Sequence, residues 1–403
     1  MDAPGSMTGD SRRGGPVTVA PRISIVTPSC NQAKYVGETI ESVLSQEGDF
    51  EIEYSVMDGG STDGSADIIR RYADLVASGG WSARCRGITM SWVSERDAGQ
   101  TAAINAGLRH ATGDIFSYIN SDDLYFRGAF QRIVEAFARD PAADFVYGDG
   151  DVIDGAGARQ WEWLSRPYNH AVMTSYHWLW NDFTNYILQQ ATFWRRRVRE
   201  RIGDFDPAFH FAMDAEYWIR AGAAGLRLRH LPEKLGKFRM IEGTKSLSSP
   251  TVFWEDQLEI FRRYRGSGML GDFFAFFYYN IARQHDGDLP RAIKEGAQVF
   301  ERWRHLPKDE FDALERDACR GQALARALLA RDLQRAGSEA QAGAMLRQAV
   351  AERPMLALRP VVLAVLFRRV LRRRGAVALD RCVARAIQRY RRTRFDYRYA
   401  RGR

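Results

Sequence analysis

The sequence has few cysteines and no long hydrophobic run, and each absence excludes a class of protein. Four cysteines among 403 residues are widely spaced and form no CxxC pair. This spacing argues against structural zinc and suits a reducing cytoplasm. The longest purely apolar runs are short, as at residues 361–367, so we expect no transmembrane helix. Residues 1–20 are rich in Gly, Pro, Ser and Thr and contain no apolar core of signal-peptide length; we expect them to be disordered.

Positive charge is concentrated at the end of the chain. Residues 355–403 contain 15 Arg, no Lys and two acids, a net charge of +13, so the remaining residues carry −5 of the total +8. Residues 356–371 mix Leu, Val and Phe with Arg, and such a cationic amphipathic helix can lie on an anionic membrane surface. A solvated helical face, with charge for solubility, is the alternative. No RNA- or DNA-binding motif accompanies the arginines, so nucleic acid is not an expected partner.

Short β-rich runs alternate with runs of helical spacing over residues 22–150. The predicted strands are residues 23–27, 53–57, 89–93, 115–119 and 145–147. This order predicts an α/β fold with a mostly parallel sheet flanked by helices. The pattern is helical after residue 251. We therefore expect a disordered N-terminus (1–20), an α/β domain (21–250) and a helical extension with an Arg-rich tail (251–403).

Polar turns follow four successive predicted strands. They are TPSCNQ (27–32), DGGSTDGS (58–65), SERDAGQ (94–100) and NSDD (120–123). The carboxyl ends of parallel strands meet at one edge of a sheet, where open α/β sheets bind ligands. The adjacent acids Asp122 and Asp123 repel each other unless a cation or hydrogen-bond donors offset them. Taken alone the pair is typical of a helix N-cap, but the four turns together predict an enzyme that holds a metal–diphosphate.

The combined order of these motifs resembles the family 2 glycosyltransferases, inverting enzymes with the A-type glycosyltransferase (GT-A) fold. The matching stretches are VTPSCNQAKYVGETIESVLSQ, DGGSTDGS, SERDAGQTAAINAGL, ATGDIFSYINSDDLY, VYGD, QQATFWRR and FAMDAEYWIRA. The resemblance implies a nucleotide-diphosphate sugar as donor and Mg²⁺ or Mn²⁺ as cofactor. Its nearest look-alikes build bacterial surface polysaccharides, which implies a surface-glycan or lipid-linked acceptor.

The resemblance implies a donor-binding role for residues at the first three turns. Asp58 would accept a hydrogen bond from the nucleobase, and Thr27 and Pro28 would form the wall of the base pocket. Asp97 would lie near the nucleoside. The family often has an aromatic ring at the position of Cys30, where a cysteine cannot stack on a base.

The resemblance also implies contacts to the metal and the diphosphate. Asp122 would lie near the ribose and the metal, and Asp123 would ligate the metal directly. Arg239 and Lys245 belong to a loop, FRMIEGTKSLS, that matches a segment able to close over the diphosphate. Lys245 would contact the phosphates, with a solvated loop lysine as the alternative.

The stretch FAMDAEYW provides the expected catalytic base. Inverting transfer needs a group that takes the proton from the acceptor hydroxyl as it attacks the anomeric carbon. Asp214 aligns with the base of the family, and Glu216 is the alternative. Gln189 and Gln190 could bind acceptor hydroxyls or pair with backbone groups of an edge strand.

The sequence therefore predicts a metal-dependent inverting glycosyltransferase in the cytoplasm, peripheral to the inner face of the cytoplasmic membrane. Two alternatives belong to other classes. One is a non-catalytic sugar-nucleotide or glycan-binding scaffold with the same fold. The other is a nucleotidyltransferase, which would release pyrophosphate; against it, the chain has no Gly-rich, Lys-bearing N-terminal loop suited to a triphosphate.

Overall fold

The computed structural model describes residues 20–174, 187–241, 250–264 and 270–355. Residues 1–19 of the N-terminal segment predicted to be disordered, Lys245 and the Arg-rich tail beyond Met355 lie outside these residues. Within the described ranges, no helix is long and apolar enough to cross a membrane.

Nine strands in the described ranges form one sheet. In chain order they are β1 (Arg22–Ser29), β2 (Glu51–Asp58), β3 (Gly87–Ser94), β4 (Ile115–Tyr118), β5 (Leu124–Tyr125), β6 (Phe145–Ile153), β7 (Arg159–Trp163), β8 (Thr192–Arg195) and β9 (Leu228–Arg239). Their spatial order is β3-β2-β1-β4-β8-β6-β9-β5, and β7 pairs with β6 at the edge. The first four strands are parallel, whereas β8 runs antiparallel to both β4 and β6. The predicted fold class is confirmed, with a parallel half and a mixed half.

Helices cover both faces of the sheet and form the C-terminal region. They are α1 (Val36–Leu44), α2 (Ser65–Ala77), α3 (Gln100–His110), α4 (Ala129–Arg139), α5 (His170–Met173), α6 (Arg196–Ile202), α7 (Met213–Ala223), α8 (Pro250–Tyr264), α9 (Leu270–Gln284), α10 (Leu289–Arg302), α11 (Lys308–Arg335) and α12 (Glu339–Glu352). A short 3₁₀ turn, Gln189–Ala191, precedes β8.

Strand β1 shows how the two faces are packed. Ile23 and Ile25 belong to the core beneath α1, α2 and α4, whereas Val26 belongs to the core beneath α3 and α7. Because successive side chains of a strand point to opposite faces, a strand covered on both sides is apolar almost throughout. This double burial explains why Ile23, Ile25 and Val26 are all apolar although they belong to the cores on different faces of the sheet.

The helices after residue 250 have a core of their own. Phe274 and Phe277 of α9 pack with Leu314 and Leu328 of α11. Helix α8 joins both parts of the molecule, since Leu258 and Phe261 belong to this second core while Ile260 belongs to the core beneath α7. The expected helical character of this region is confirmed over its described residues.

Candidate active site

Hydrogen bonds tie the turn after β1 to the turn after β2. The N–H of Asn31 donates to the Ser61 hydroxyl at 2.7 Å, and the N–H of Thr62 donates to Oδ1 of Asn31 at 2.9 Å. Asn31 has a φ of 52°, a left-handed conformation that Asn tolerates better than most residues. The N–H of Ala33 donates to Oδ2 of Asp63 at 2.9 Å. The first two predicted polar turns therefore form one unit.

Asp58 lies at the end of β2 and is 2% exposed. Its Oδ1 accepts from the Ser61 hydroxyl at 2.5 Å, and its Oδ2 accepts from the Ser61 N–H at 2.9 Å. The Ser94 hydroxyl, at the end of β3, donates to the same Oδ2 at 2.6 Å. Three donors thus fix the orientation of this carboxylate. Ser94 was not predicted as a site residue, although its register opposite Asp58 follows from pairing β2 with β3 in parallel.

Asp97 lies against the turn after β2. A Cβ atom added to Gly59 would lie 3.1 Å from Oδ2 of Asp97, so only a residue without a side chain allows this approach without displacement. Burial raises the pKa of the Cys30 thiol, and the charges of Asp58, Asp97 and Asp63 raise it further. Cys30 is therefore within electrostatic reach of acids from two turns, and the first three turns meet at one place.

Asp123 is fully buried, and protein donors bind both of its carboxylate oxygens. Its Oδ1 accepts from the N–H of Arg239 at 2.8 Å, and its Oδ2 accepts from Nε2 of Gln190 at 2.6 Å and Nδ2 of Asn120 at 3.2 Å. Burial and the neighbouring charge of Asp122 hold the pKa of Asp123 well above its ordinary value. Asp123 therefore anchors the turn after β4 to β9 and to the turn before β8.

Asp122 has different surroundings from those of its neighbour. Its side chain is half-buried; burial raises its pKa, whereas the charge of Arg239 lowers it. Within the described residues, no group of three or more His, Cys, Asp or Glu side chains could hold a metal ion. One carboxylate at a strand end still fits Mg²⁺, which proteins commonly hold through one or two carboxylates together with substrate phosphates.

Arg239 is the last residue of β9, and its side chain is fully buried. Its Nε donates to the carbonyl of Asp122 at 2.8 Å, and its Nη2 pairs with Oε2 of Glu38 at 2.5 Å. The guanidinium lies over the ring of Tyr35, 4.6 Å from its centroid. The expectation that Arg239 belongs to a loop over the diphosphate was wrong, because these partners hold it inside the protein.

Asp214 lies in the first turn of α7, which begins beside α3. The Thr101 hydroxyl donates to Sδ of Met213 at 2.8 Å, so the helix that follows the Asp97 turn touches the helix that carries Asp214. Burial raises the pKa of Tyr118, and the charges of Asp214 and Asp123 raise it further. Both carboxylates are therefore near the end of β4, as the predicted assignment of the base requires.

Glu216 is 1% exposed and lies in an ion pair with Arg220 of the same helix. Arg220 donates from Nε to Oε1 at 2.9 Å and from Nη2 to Oε2 at 3.0 Å. The hydroxyl of Tyr264 donates to Oε1 at 2.6 Å. The geometry does not support Glu216 as the alternative base, because both oxygens already have partners inside the protein.

The remaining predicted contacts lie close to the core. Thr27 is fully buried, and its Oγ1 accepts from the Tyr54 hydroxyl at 3.0 Å, so its hydroxyl faces the core beneath α1 and α2 instead of a base. Pro28 is the buried residue that follows it in β1. Gln189 donates from Nε2 to the carbonyl of Tyr118 at 2.8 Å. Like Gln190, it has a partner in this chain.

Comparison with known proteins agrees with the motifs. Residues 24–202 match the family model described as glycosyl transferase family 2. A glycosyltransferase of Nostoc sp. (strain PCC 7120) is 25% identical over 305 residues, which cover 73% of this chain and 85% of the relative. A glycosyltransferase of Mycobacterium tuberculosis is 30% identical over 207 residues, which cover 51% of this chain and 70% of the relative.

A solved structure has the same fold. Residues 1–349 of S. aureus TarS, crystallised in complex with UDP-GlcNAc, superpose on this chain with a TM-score of 0.51 and 16% sequence identity. The match covers 78% of this chain and 92% of the TarS chain. The resemblance inferred from the motifs is thus confirmed by both sequence and fold: the chain belongs to glycosyl transferase family 2 and is a glycosyltransferase.

Proposed function

We propose that this enzyme is a metal-dependent inverting glycosyltransferase that moves a sugar from a nucleotide-diphosphate donor to a surface-glycan or lipid-linked acceptor. The observation that carries the proposal is the position of Asp58, Asp97, Asp122 and Asp214. All four belong to segments that meet at the carboxyl ends of the parallel strands. This edge is where an open α/β sheet binds its ligand.

The donor end of the site consists of Asp58 and Asp97. Asp58 is preorganised by hydroxyl and N–H donors, so it needs little rearrangement to accept a base N–H. Asp97 is exposed and lies beside it, in a position suited to the ribose or the base. The presence of UDP-GlcNAc in the S. aureus structure supports a nucleotide-diphosphate sugar as donor.

We assign the metal contact to Asp122 in preference to Asp123. Both oxygens of Asp123 accept hydrogen bonds from protein donors, and replacing these bonds with a cation would leave buried donors unsatisfied. Asp122 is the more accessible of the two. When bound, Mg²⁺ or Mn²⁺ supplies Lewis-acid stabilisation of the leaving diphosphate.

Asp214 is the proposed general base. Its carboxylate takes the proton of the acceptor hydroxyl while that oxygen bonds to the anomeric carbon from the face opposite the diphosphate. The bond from the anomeric carbon to the diphosphate oxygen breaks, and the nucleoside diphosphate leaves with the electron pair. Attack opposite to the leaving group inverts the anomeric configuration. The charges of Asp214 and Asp123 both raise the pKa of Tyr118 beyond the effect of its burial, so Asp214 lies near the end of β4, which supports this role.

The proposed location is the cytoplasm, with the Arg-rich tail holding the enzyme at the anionic inner face of the membrane. A charge of +13 over residues 355–403 supports this part, since each Lys or Arg near such a surface adds about 1 kcal/mol of attraction. Lys245 remains a proposed phosphate contact. Both the tail beyond Met355 and Lys245 lie outside the described residues, so these proposals rest on sequence.

The decisive experiment combines product analysis with one variant. A panel of UDP- and GDP-sugars is tested with Mn²⁺ and with EDTA, and we expect metal-dependent release of a nucleoside diphosphate. Asp214→Asn should lower turnover about 10²- to 10⁴-fold and still bind Mn²⁺ with UDP or GDP. Asp309→Asn, which changes an acid in the first turn of α11, is the matched control. Release of pyrophosphate, or normal turnover by Asp214→Asn, would refute the proposal.

A further inference from the structure

Helix α7, which carries Asp214, begins without a side-chain cap of its own. Its N-cap residue is Ala212, whose methyl group cannot accept a hydrogen bond from the first N–H groups of the helix. A side chain from another helix binds the two residues that lead into α7. Oδ2 of Asp256, in α8, accepts from the N–H of Phe211 at 2.7 Å and from the N–H of Ala212 at 3.2 Å.

Asp256 is only 2% exposed, so this bond network is shielded from water. Hydrogen bonds from backbone N–H groups to a buried carboxylate contribute more to stability than those of an exposed helix cap. The reason is that the buried N–H groups have no water to bind if the carboxylate is removed. The contact joins residues 44 and 45 positions apart in the chain. It links the first helix after the α/β region to the turn that leads into the proposed base.

Two further contacts hold α8 against the same region. The Tyr264 hydroxyl donates to Oε1 of Glu216 at 2.6 Å. Arg263 pairs with Oδ2 of Asp206 at 2.7 Å, and its guanidinium lies 4.9 Å from the ring centroid of Phe209. Helix α8 therefore holds α7 and the segment before it at three points, one of which is the helix N-terminus.

We infer that Asp256 is a positioning residue for Asp214 and that α8 is thereby part of the catalytic machinery of the enzyme. The inference rests on the proposed role of Asp214. Oδ1 of Asp214 already accepts from the N–H of Ala215 at 2.7 Å, so its carboxylate is within reach of donors at its own helix start. Without Asp256, the N–H groups of Phe211 and Ala212 lose their acceptor, and Asp214 is the nearest carboxylate in sequence that can replace it. A base drawn back toward the N–H groups of Phe211 and Ala212 is turned away from the acceptor hydroxyl.

The test compares Asp256→Ala with Asp256→Asn in the full-length enzyme. The N–H groups of Phe211 and Ala212 bind the single atom Oδ2, so one amide oxygen can accept both bonds. A backbone hydrogen bond from His210 is a third contact of the same carboxyl group; burial raises the pKa of Asp256, and this bond lowers it. We expect Asp256→Ala to lower kcat about 10- to 100-fold, as small misplacements of catalytic groups do, with the affinity for Mn²⁺ and UDP or GDP within threefold of wild type. Asp256→Asn should restore kcat to within about threefold. If Asp256→Ala does not fold, Asp256→Glu takes its place, because it keeps the charge and moves the carboxylate.

Asp288→Ala is the matched control, since Asp288 caps α10 by accepting from the N–H of Arg291 at 3.0 Å and that helix does not carry the base. It should lower the Tm and leave kcat unchanged. An Asp256→Ala enzyme with wild-type kcat, or one that loses nucleotide affinity in parallel with kcat, overturns the inference.

Hydrogen exchange separates this inference from the proposed function. If the wild-type enzyme turns over no sugar nucleotide, the proposed function fails, but exchange at residues 211–216 still tests the link between the helices. Faster exchange in Asp256→Ala than in Asp288→Ala supports it, and unchanged exchange overturns it. Normal turnover by Asp214→Asn together with slow turnover by Asp256→Ala would refute the assignment of the base alone.

Discussion

The backbone N–H of Arg239 donates to Oδ1 of Asp123 at 2.8 Å across 116 positions of sequence. The same arginine donates from its side chain to the carbonyl of Asp122 at 2.8 Å and pairs with Glu38. One buried residue thus connects the end of β9, the acidic turn and α1. It holds the turn in the conformation that leaves Asp122 more accessible than Asp123.

Replacing Arg239 should therefore destabilise the fold as well as the site. Arg239→Ala removes the side-chain donors to the carbonyls of Asp122 and Gly155 and to the carboxylate of Glu38, whereas the backbone N–H that binds Asp123 remains. We expect the free energy of unfolding to fall by about 3 kcal/mol, as measured by urea denaturation. The matched control is Arg132→Ala, because Arg132 pairs with Glu233 at 3.0 Å on the surface. That change should cost less than about 1 kcal/mol. Equal costs for the two variants would contradict the role of Arg239.

The four polar turns could be predicted to meet because parallel strands place their carboxyl ends at one edge. The prediction required only the order of β1, β2, β3 and β4, which alternating helices indicate. What could not be predicted is which of two adjacent acids faces inward. That choice depends on Arg239 and Gln190, which are 116 and 67 positions away from Asp123. Likewise, the enclosure of Glu216 depends on Tyr264, 48 positions later.

The mixed half of the sheet also could not be predicted from the sequence. Strand β9 contains Pro232 and several charges, a composition that argues against a central strand. The structure accommodates the proline at an irregularity, since the pairing of β6 with β9 shifts register between Tyr147 and Asp149. A bulge of this kind is where a strand tolerates a residue without an N–H. The amino-acid composition of β9 therefore does not predict a strand at Leu228–Arg239.

The two adjacent acids should respond differently to the same change. Asp122→Asn should abolish the metal-dependent part of the affinity for UDP or GDP and leave thermal stability nearly unchanged. Asp123→Asn should lower the free energy of unfolding by about 1–3 kcal/mol, because an amide NH₂ would face the donors of Arg239 or Gln190. Calorimetric titration of Mn²⁺ with each nucleotide, paired with urea denaturation, measures both effects. Loss of metal dependence only in Asp123→Asn would restore the assignment made from the sequence.

Close backbone packing predicts a strict requirement for glycine at position 150. A Cβ atom there would lie 2.1 Å from the carbonyl oxygen of Gly236 and 2.3 Å from Cδ2 of Leu188. We expect Gly150→Ala in β6 to cost about 1–3 kcal/mol of stability. Gly87→Ala in β3 is the control, because a Cβ atom there meets no atom within 4 Å. Chemical denaturation should find the control neutral or slightly more stable, and comparable losses in both would show that crowding is not the cause.

The hydroxyl of Ser94 gives the sharpest test of the donor end of the site. It donates to Oδ2 of Asp58 at 2.6 Å, so Ser94→Ala removes one of three donors that orient this carboxylate. A hydrogen bond to a charged group contributes about 1.5–3 kcal/mol, and we expect part of this to appear as a threefold to tenfold weaker affinity for UDP or GDP, measured by calorimetry.

The matched control for that variant lies in the same strand. Ser91 of β3 lies 2.9 Å from the Ser55 hydroxyl of β2, so Ser91→Ala also removes a cross-strand hydrogen bond, but one that does not involve Asp58. We expect its nucleotide affinity to equal that of the wild type. If both serine variants bind nucleotide normally, the orientation of Asp58 does not depend on Ser94. If both bind nucleotide weakly, the loss of affinity comes from weaker pairing of β2 and β3. The orientation of Asp58 is then not the cause, because the hydrogen bond of Ser91 does not involve Asp58.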